Sequence, residues 1–570
     1  MVLKRILYLL PFLFIAQVAT AQRPAQDTTR QEGKILNIIS GDRSDFITVD
    51  SLHKYATLVG KAHVLQEKTH FYADSMVVNQ VDNTLEAFGN VHINDADSVH
   101  TYAQYVKYLG KEKKAFLKKK VRLTDGKGEL TTDELEYDVT LKIGTYLKGG
   151  KLVNKKTTLT SKEGYYYGDT KDVLFKQKVL LIDPEYKVVT DTLQYNTSTE
   201  ITTFTSPTII YSDSGRRILK TKEGYFDMKN KRGILNKRSV IEDSTYTFTA
   251  DDMAIDDSTK QDEFRGNAVY RGKDTAKGFD LIANNIKTDR KKDILLATQK
   301  PILLIKQNKD SVFVSADTLY SARLSDLLKT RKVPVVRDSI ADTSLPKTMI
   351  DSSVKISTDS VLHTKTSKPL IDSANKKDSS SNKYFEAYFN VKIYSDSLQA
   401  VCDSLFYSLE DSVFRLFRNP VIWARQNQIT GDTIYLYTKN QKPERLYVFE
   451  NAMAIGKVDK TNYYNQAKAT TINALFYDSK ISAIRLKGNA ETVYYMQNDK
   501  NQFQGINKGS SGLVDMLFDH NGKPRRISWL VGYDATNYPM RSTNHEEMKL
   551  RGFRLLDNLR PKSKFDILGN

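Results

Sequence analysis

The stretch Glu86-Ala87-Phe88-Gly89-Asn90-Val91-His92-Ile93 decides the fold, because it returns as Glu386-Ala387-Tyr388-Phe389-Asn390-Val391-Lys392-Ile393. Within it, Leu85, Ala87, Gly89, Val91 and Ile93 fall on one side of an extended chain, with polar residues between them. That two-residue period is the signature of a half-buried β-strand. A second phrase precedes it: a small residue, an acidic or polar one, then an apolar one. It reads Ala73-Asp74-Ser75-Met76, Ala250-Asp251-Asp252-Met253, Ala316-Asp317-Thr318-Leu319 and Cys402-Asp403-Ser404-Leu405. Weaker copies begin at Ala103, Thr132, Ser161, Thr190, Thr221 and Ala283, so that anchors from Ala73 to Ala316 recur every 29 to 33 residues. A constant period of that length predicts a stacked repeat architecture rather than a single closed domain.

Working outward, Gly266-Asn267-Ala268-Val269 and Gly488-Asn489-Ala490 are partial copies of the Gly89-Asn90-Val91 phrase. Pro207, Pro301 and Pro420 take the valine position in other units. Proline suits a strand start, where no N–H is needed. Val179-Leu180-Leu181-Ile182 and Ile302-Leu303-Leu304-Ile305 are apolar on both sides and are expected to be covered on both. The expected organisation is a flexible lead-in over 22–40, β-repeats over 41–324, a disordered Ser/Asp/Lys-rich insertion over 325–383, more repeats over 384–540, and a terminal segment over 541–570. The insertion is too polar to offset its ordering entropy. It interrupts one unit, whose anchor at Ala316 precedes it and whose copy of the Glu86–Ile93 phrase, starting at Glu386, follows it. Near the end, Asn544-His545-Glu546-Glu547 looks like a helix start, predicting a short helix through about Leu556 and then a basic tail.

Residues 1–21 read as a secretory leader: Lys4 and Arg5, an apolar run from Ile6 to Ala16, and Ala19-Thr20-Ala21 as the cleavage site. The run is too short to span a bilayer, which takes about 20 residues. The chain holds one cysteine, Cys402, so no intramolecular disulfide forms, and its position in a repeat anchor marks it as a small buried residue. A net charge of +18 points to anionic partners, a glycolipid or membrane surface among them, or else to a solvated face.

Enzyme signals fail. Gly266 to Asp274 has five residues between its glycines instead of four, and Asp274 stands where a phosphate loop has Ser or Thr. His92, Asp95, Asp97 and His100 have a tempting spacing for a metal, but solvated turn residues are the commoner reading. No catalytic residue, metal site or cofactor is assigned.

The repeated A-D-x-apolar phrase, polar turn and G-N-V-x-I behind a leader resemble the LptA/OstA family of lipopolysaccharide-transport proteins, most of all its long OstA-like form of Bacteroidetes type. The likeness is good over 41–324, fair over 384–455 and weak over 456–540. It implies an all-β, elongated open β-jellyroll of about 30-residue repeats, located in the periplasm and associated with the outer membrane. Its apolar interior would carry the acyl chains of lipopolysaccharide. Its partners would be other β-jellyroll transport proteins paired edge to edge and an outer-membrane assembly partner, with no nucleic acid. The candidate groove lining is Val91, Ile93, Val121, Leu123, Leu181, Ile209, Leu303, Ile305, Val391 and Ile393. Two readings compete with a lipid slot. One is a structural or adhesive secreted β-solenoid with a filled core. The other is a glycan-degrading β-helix, disfavoured because no distinct site stands out.

Overall fold

The computed structural model describes residues 35–50, 54–274, 278–306, 311–330, 383–439, 442–458, 460–478, 480–498, 500–519 and 524–568. The leader and most of the insertion lie outside these. The described residues form forty β-strands and two short α-helices, so the chain is all-β, as its alternation predicts. They divide into two units: residues 1–126 with 131–145, and residues 127–130 with 146–570.

In the first unit the strands Lys54–Gln66, Thr69–Asn79, Thr84–Asp95, Val99–Leu109 and Lys114–Thr124 pair antiparallel in sequence order. Each pairing breaks register in its middle, for example between Phe88 and Val91. At the break, alternate strands place two residues in the left-handed region: Gly60 and Lys61, Gly89 and Asn90, Lys119 and Lys120. Two such residues turn a strand through a corner without spoiling its alternation, so Leu85, Ala87, Val91 and Ile93 all stay buried. Each of these five strands therefore belongs to two layers. The first layer holds 55–59, 75–79, 84–88 and 105–109; the second holds 62–66, 69–73, 91–95 and 99–103. The layers face each other, and Phe71 of the second meets Tyr108 of the first with ring centres 4.6 Å apart.

The second unit repeats this plan. Its corners fall at Gln177-Lys178, Lys237-Arg238, Gly266-Asn267, Gln299-Lys300, Phe389-Asn390, Arg418-Asn419, Glu450-Asn451 and Gly488-Asn489. Rings again meet across the interior, as in Phe248 on Phe264 at 3.9 Å and Phe279 on Phe385 at 4.7 Å. The strands flanking the insertion pair directly: Thr318 lies opposite Tyr388 and Arg323 opposite Lys383.

Three expectations need correction here. Residues 37–40, assigned to a flexible lead-in, form the strand Asn37–Ser40, which pairs with His63–Leu65. Residues 325–330, assigned to a disordered insertion, belong to the helix Leu324–Thr330, whose Leu324 packs with Ala322 and Tyr384. The terminal helix is not at 544–556, where turns replace it; it is Lys564–Leu568. The turns win because Gln466 captures the backbone of Met548 and Leu550, as described below, and competes with helical hydrogen bonding.

Candidate ligand groove and cavity

The A-D and G-N phrases, which carry the repeat, meet at the corner. Asn90 Nδ2 donates to Asp74 Oδ2 at 3.0 Å, Asn267 to Asp251 at 2.8 Å, Asn390 to Asp317 at 2.8 Å and Asn451 to Asp432 at 2.9 Å. The aspartate's own N–H donates back to the corner carbonyl in the pairs Asp251 to Gly266 and Asp317 to Phe389. The motif is thus a clasp that holds the two layers at their shared edge, and its aspartates are structural.

Between the layers lies an apolar interior. Nine of the ten candidate lining residues point into it and are no more than 4 % exposed: Val91, Ile93, Val121, Leu123, Leu181, Leu303, Ile305, Val391 and Ile393. Ile209 does not. It is half-exposed on the outer face, and Ile210 is the buried residue. The corner before Pro207 is made without a left-handed pair at 205–206, and the even positions stay buried through it, Thr202 and Phe204 before and Thr208 and Ile210 after, so Ile209 faces outward.

Opposite the corner, the free rims of the layers are bridged. In the first unit, Tyr108 donates to Gln66 Oε1, Tyr137 donates to Asp95 at 3.0 Å, and Lys113 pairs with Glu67. In the second, Asn154 Nδ2 donates to Tyr195 at 3.1 Å and Tyr186 donates to Asp257 at 2.8 Å. Next to this comes a buried ion quartet. Arg217, from the second layer, lies 3.2 Å from Asp257 and 2.8 Å from Asp262 on the first, and Arg290 contacts both carboxylates. Against the penalty of burial, Arg217 and Arg290 hold the Asp257 carboxyl below its usual range, whereas burial pushes the deeper Asp262 up.

Beside the quartet the layers leave a cavity of about 650 Å³. Tyr246, Phe248, Phe264, Tyr270 and Leu295 form its apolar wall. Burial pushes the Tyr246 phenol up to about 12. Arg216, Lys260 and Lys291 stand on the rim beside Asp213, Asp243 and Asp289. Elsewhere in this unit a second, apolar void of about 40 Å³ lies near Phe414, Leu416 and Leu436.

Further along, the terminal segment covers the rim. Gln399, Trp423, Gln428, Ile455, Gln466 and Val493 form one cross-strand row on the second layer. Gln466 accepts from the Leu550 N–H at 2.8 Å and donates to the Met548 carbonyl at 3.4 Å. Gln428 accepts from Leu556 N–H and donates to the Arg554 carbonyl, both at 2.7 Å. Arg560 donates to Gln399 Oε1 at 2.9 and 2.6 Å. Met548 and Leu550 sink between Met453, Ile455, Val493 and Ile506. The sequence reading missed this glutamine row; polar residues at otherwise apolar inward positions were the available signal.

The four residues with metal-like spacing separate. Asp95 turns inward and accepts from Thr69 and Tyr137 at 3.0 Å, and Asp97 is held by Asn94. His92 and His100 stay together on the outer face. Among the described residues no group of three or more His, Cys, Asp or Glu side chains is placed to hold a metal. Cys402 is buried, and that burial pushes its thiol up to about 12, a state without nucleophilic use.

Antiparallel strands creased into two facing layers with an apolar interior define an all-β repeat protein. Residues 39–191 match the family described as OstA-like protein, which supports a likeness to the OstA/LptA family over that segment. That match supports a lipid-transport type of function and a periplasmic setting. No curated protein matches the chain. Among the described residues no helix is long and apolar enough to cross a membrane.

Proposed function

We propose that this protein binds lipopolysaccharide and conveys it between the inner and outer membranes, with the acyl chains held between the two layers. The observation that supports this most is the cavity beside Arg217 and Arg290. It joins an aromatic wall to a rim where Arg216, Lys260 and Lys291 alternate with aspartates, and its volume of about 650 Å³ lies within the range of small-molecule sites. A lipid with several acyl chains needs more room, so the layers part further when it enters. The corner, where strands run on from one layer to the other, acts as the hinge, and on the opposite side only side-chain packing and rim bonds join the layers. Partners of the same β-jellyroll kind join by pairing at the outermost strands, and the outer-membrane assembly partner takes the lipid onward.

The competing reading, a structural solenoid with a filled core, draws on the near-complete burial of Val91, Leu181 and Leu303. Photo-crosslinking separates the two. A crosslinking side chain placed at Tyr270 or Leu295 should capture lipopolysaccharide, with free acyl-chain amphiphiles competing, while one at outward-facing Ile209 should not. No capture at Tyr270 and Leu295, or equal capture at Ile209, would leave the filled solenoid.

A further inference from the structure

Four of the chain's eight histidines stand in one patch on the outer face of the second layer in the first unit. His63, Tyr72, His92, Tyr102 and Arg122 occupy one cross-strand row over five neighbouring strands. His70 and His100 lie one step along. The imidazoles are paired: His63 Nε2 is 3.0 Å from His70 Nδ1, and His92 Nε2 is 3.1 Å from His100 Nδ1. Tyr72 Oη lies 3.5 Å from the same His70 nitrogen. Stacking fixes the rings, with His63 on Tyr72 at 4.4 Å and His92 on Tyr102 at 4.5 Å. All four histidines are half-buried, so their outer edges reach solvent.

Such pairs fit a hydrogen-bonded couple, and they also fit two adjacent ligands of one ion. Two nitrogens at about 2.0–2.1 Å from a metal and about 90–110° apart are separated by about 2.9–3.4 Å. Imidazole is the ligand type that suits Zn²⁺, Cu²⁺ and Ni²⁺. Burial first, and the neighbouring imidazole second, lower the pKa of His63 and His92, which keeps each neutral and able to bind at pH 7. Arg122, which caps Tyr102 at 4.2 Å and also depresses His92, weighs against a cation at the second pair. No such cation acts on His63, whose pair also has the Tyr72 hydroxyl beside it.

We propose that His63 with His70, and more weakly His92 with His100, form two surface sites for a divalent transition-metal ion of the Zn²⁺ or Cu²⁺ kind, completed by water. Tag-free full chain titrated with Zn²⁺, and separately with Cu²⁺, in a calorimeter at pH 7.5 tests this. Two equivalents of unequal affinity are expected. The double variant His63→Asn with His70→Asn should lose the tighter one, and His92→Asn with His100→Asn the weaker one. His545→Asn, which alters a histidine outside the patch, should lose neither. Binding should disappear at pH 5, as the imidazoles take up protons. Circular dichroism of each variant keeps unfolding separate from ligand loss. No heat with either ion, or unchanged stoichiometry in both double variants, would overturn the assignment and leave the pairs as hydrogen bonds only.

Discussion

Gly89 and Phe389 occupy the same place in two corners and show what the repeat asks of a residue. Both have positive φ, at +72° and +62°. Glycine adopts that conformation freely and a side-chain-bearing residue does not. A Cβ on Gly89 would also sit 2.4 Å from Asp74 Oδ2, so the carboxylate that receives Asn90 would have to swing aside. Gly89→Ala should therefore destabilise the protein by about 1–2 kcal/mol, and Phe389→Gly should stabilise it by up to about 1 kcal/mol, since the Phe389 ring is 54 % exposed and loses little packing. Urea denaturation of the two variants should move in opposite directions. Cys402 supports a second measurement. With its thiol pushed up to about 12, almost no thiolate exists at pH 8 in the folded state. An aromatic disulfide reagent should leave the native chain unlabelled and react only as urea unfolds this region; prompt labelling of the native protein would contradict the burial.

At the scale of elements, the terminal segment from Met548 to Arg560 is held more by polar capture than by its own secondary structure. Gln399, Gln428 and Gln466 each offer a side chain across the rim, and two of them bind the segment's backbone from both sides. Replacing Gln466 by leucine keeps the volume similar but leaves the Leu550 N–H and Met548 carbonyl without partners in a buried place, a cost of about 1–3 kcal/mol. We expect Gln466→Leu to loosen this segment without unfolding the layers. Limited proteolysis should then cut within 541–553 faster than in the unaltered chain, with Gln428→Leu adding to the effect. If the cutting rate is unchanged, the glutamine row does not hold the strap. The ion quartet works differently. Arg217 and Arg290 share Asp257 and Asp262, so loss of one arginine leaves buried charge uncompensated rather than merely removing a contact.

At the scale of the molecule, stacking answers the problem each repeat has alone. A single unit exposes one apolar face and two strand edges; its neighbours cover the face and pair the edges. Much of this was legible in the chain itself. The 29-to-33-residue period, the strand alternation through Gly89-Asn90 and the inward direction of Val91, Ile93, Leu303 and Ile305 all follow from local sequence, because a strand's side chains alternate whatever the strand packs against. Ile209 was misplaced because Pro207 is exposed where the aligned Pro301 and Pro420 are buried, so Thr208 and Ile210 take the inward positions, an offset that the aligned proline does not reveal. The cavity was not legible at all, since it depends on how far Tyr246 and Phe264 stand apart across two layers.

The sequence by itself determined the all-β class, the repeat, its anchors and the interruption after Ala316, since each rests on short-range periodicity and backbone preference. Only the tertiary structure decided that Asp74 and Asn90 form a clasp, that Gln466 grips a segment more than eighty residues away, and that His63 and His92 share one outer row. Those facts depend on strand register and on which rims meet, and register is fixed by many weak contacts acting together rather than by any residue alone.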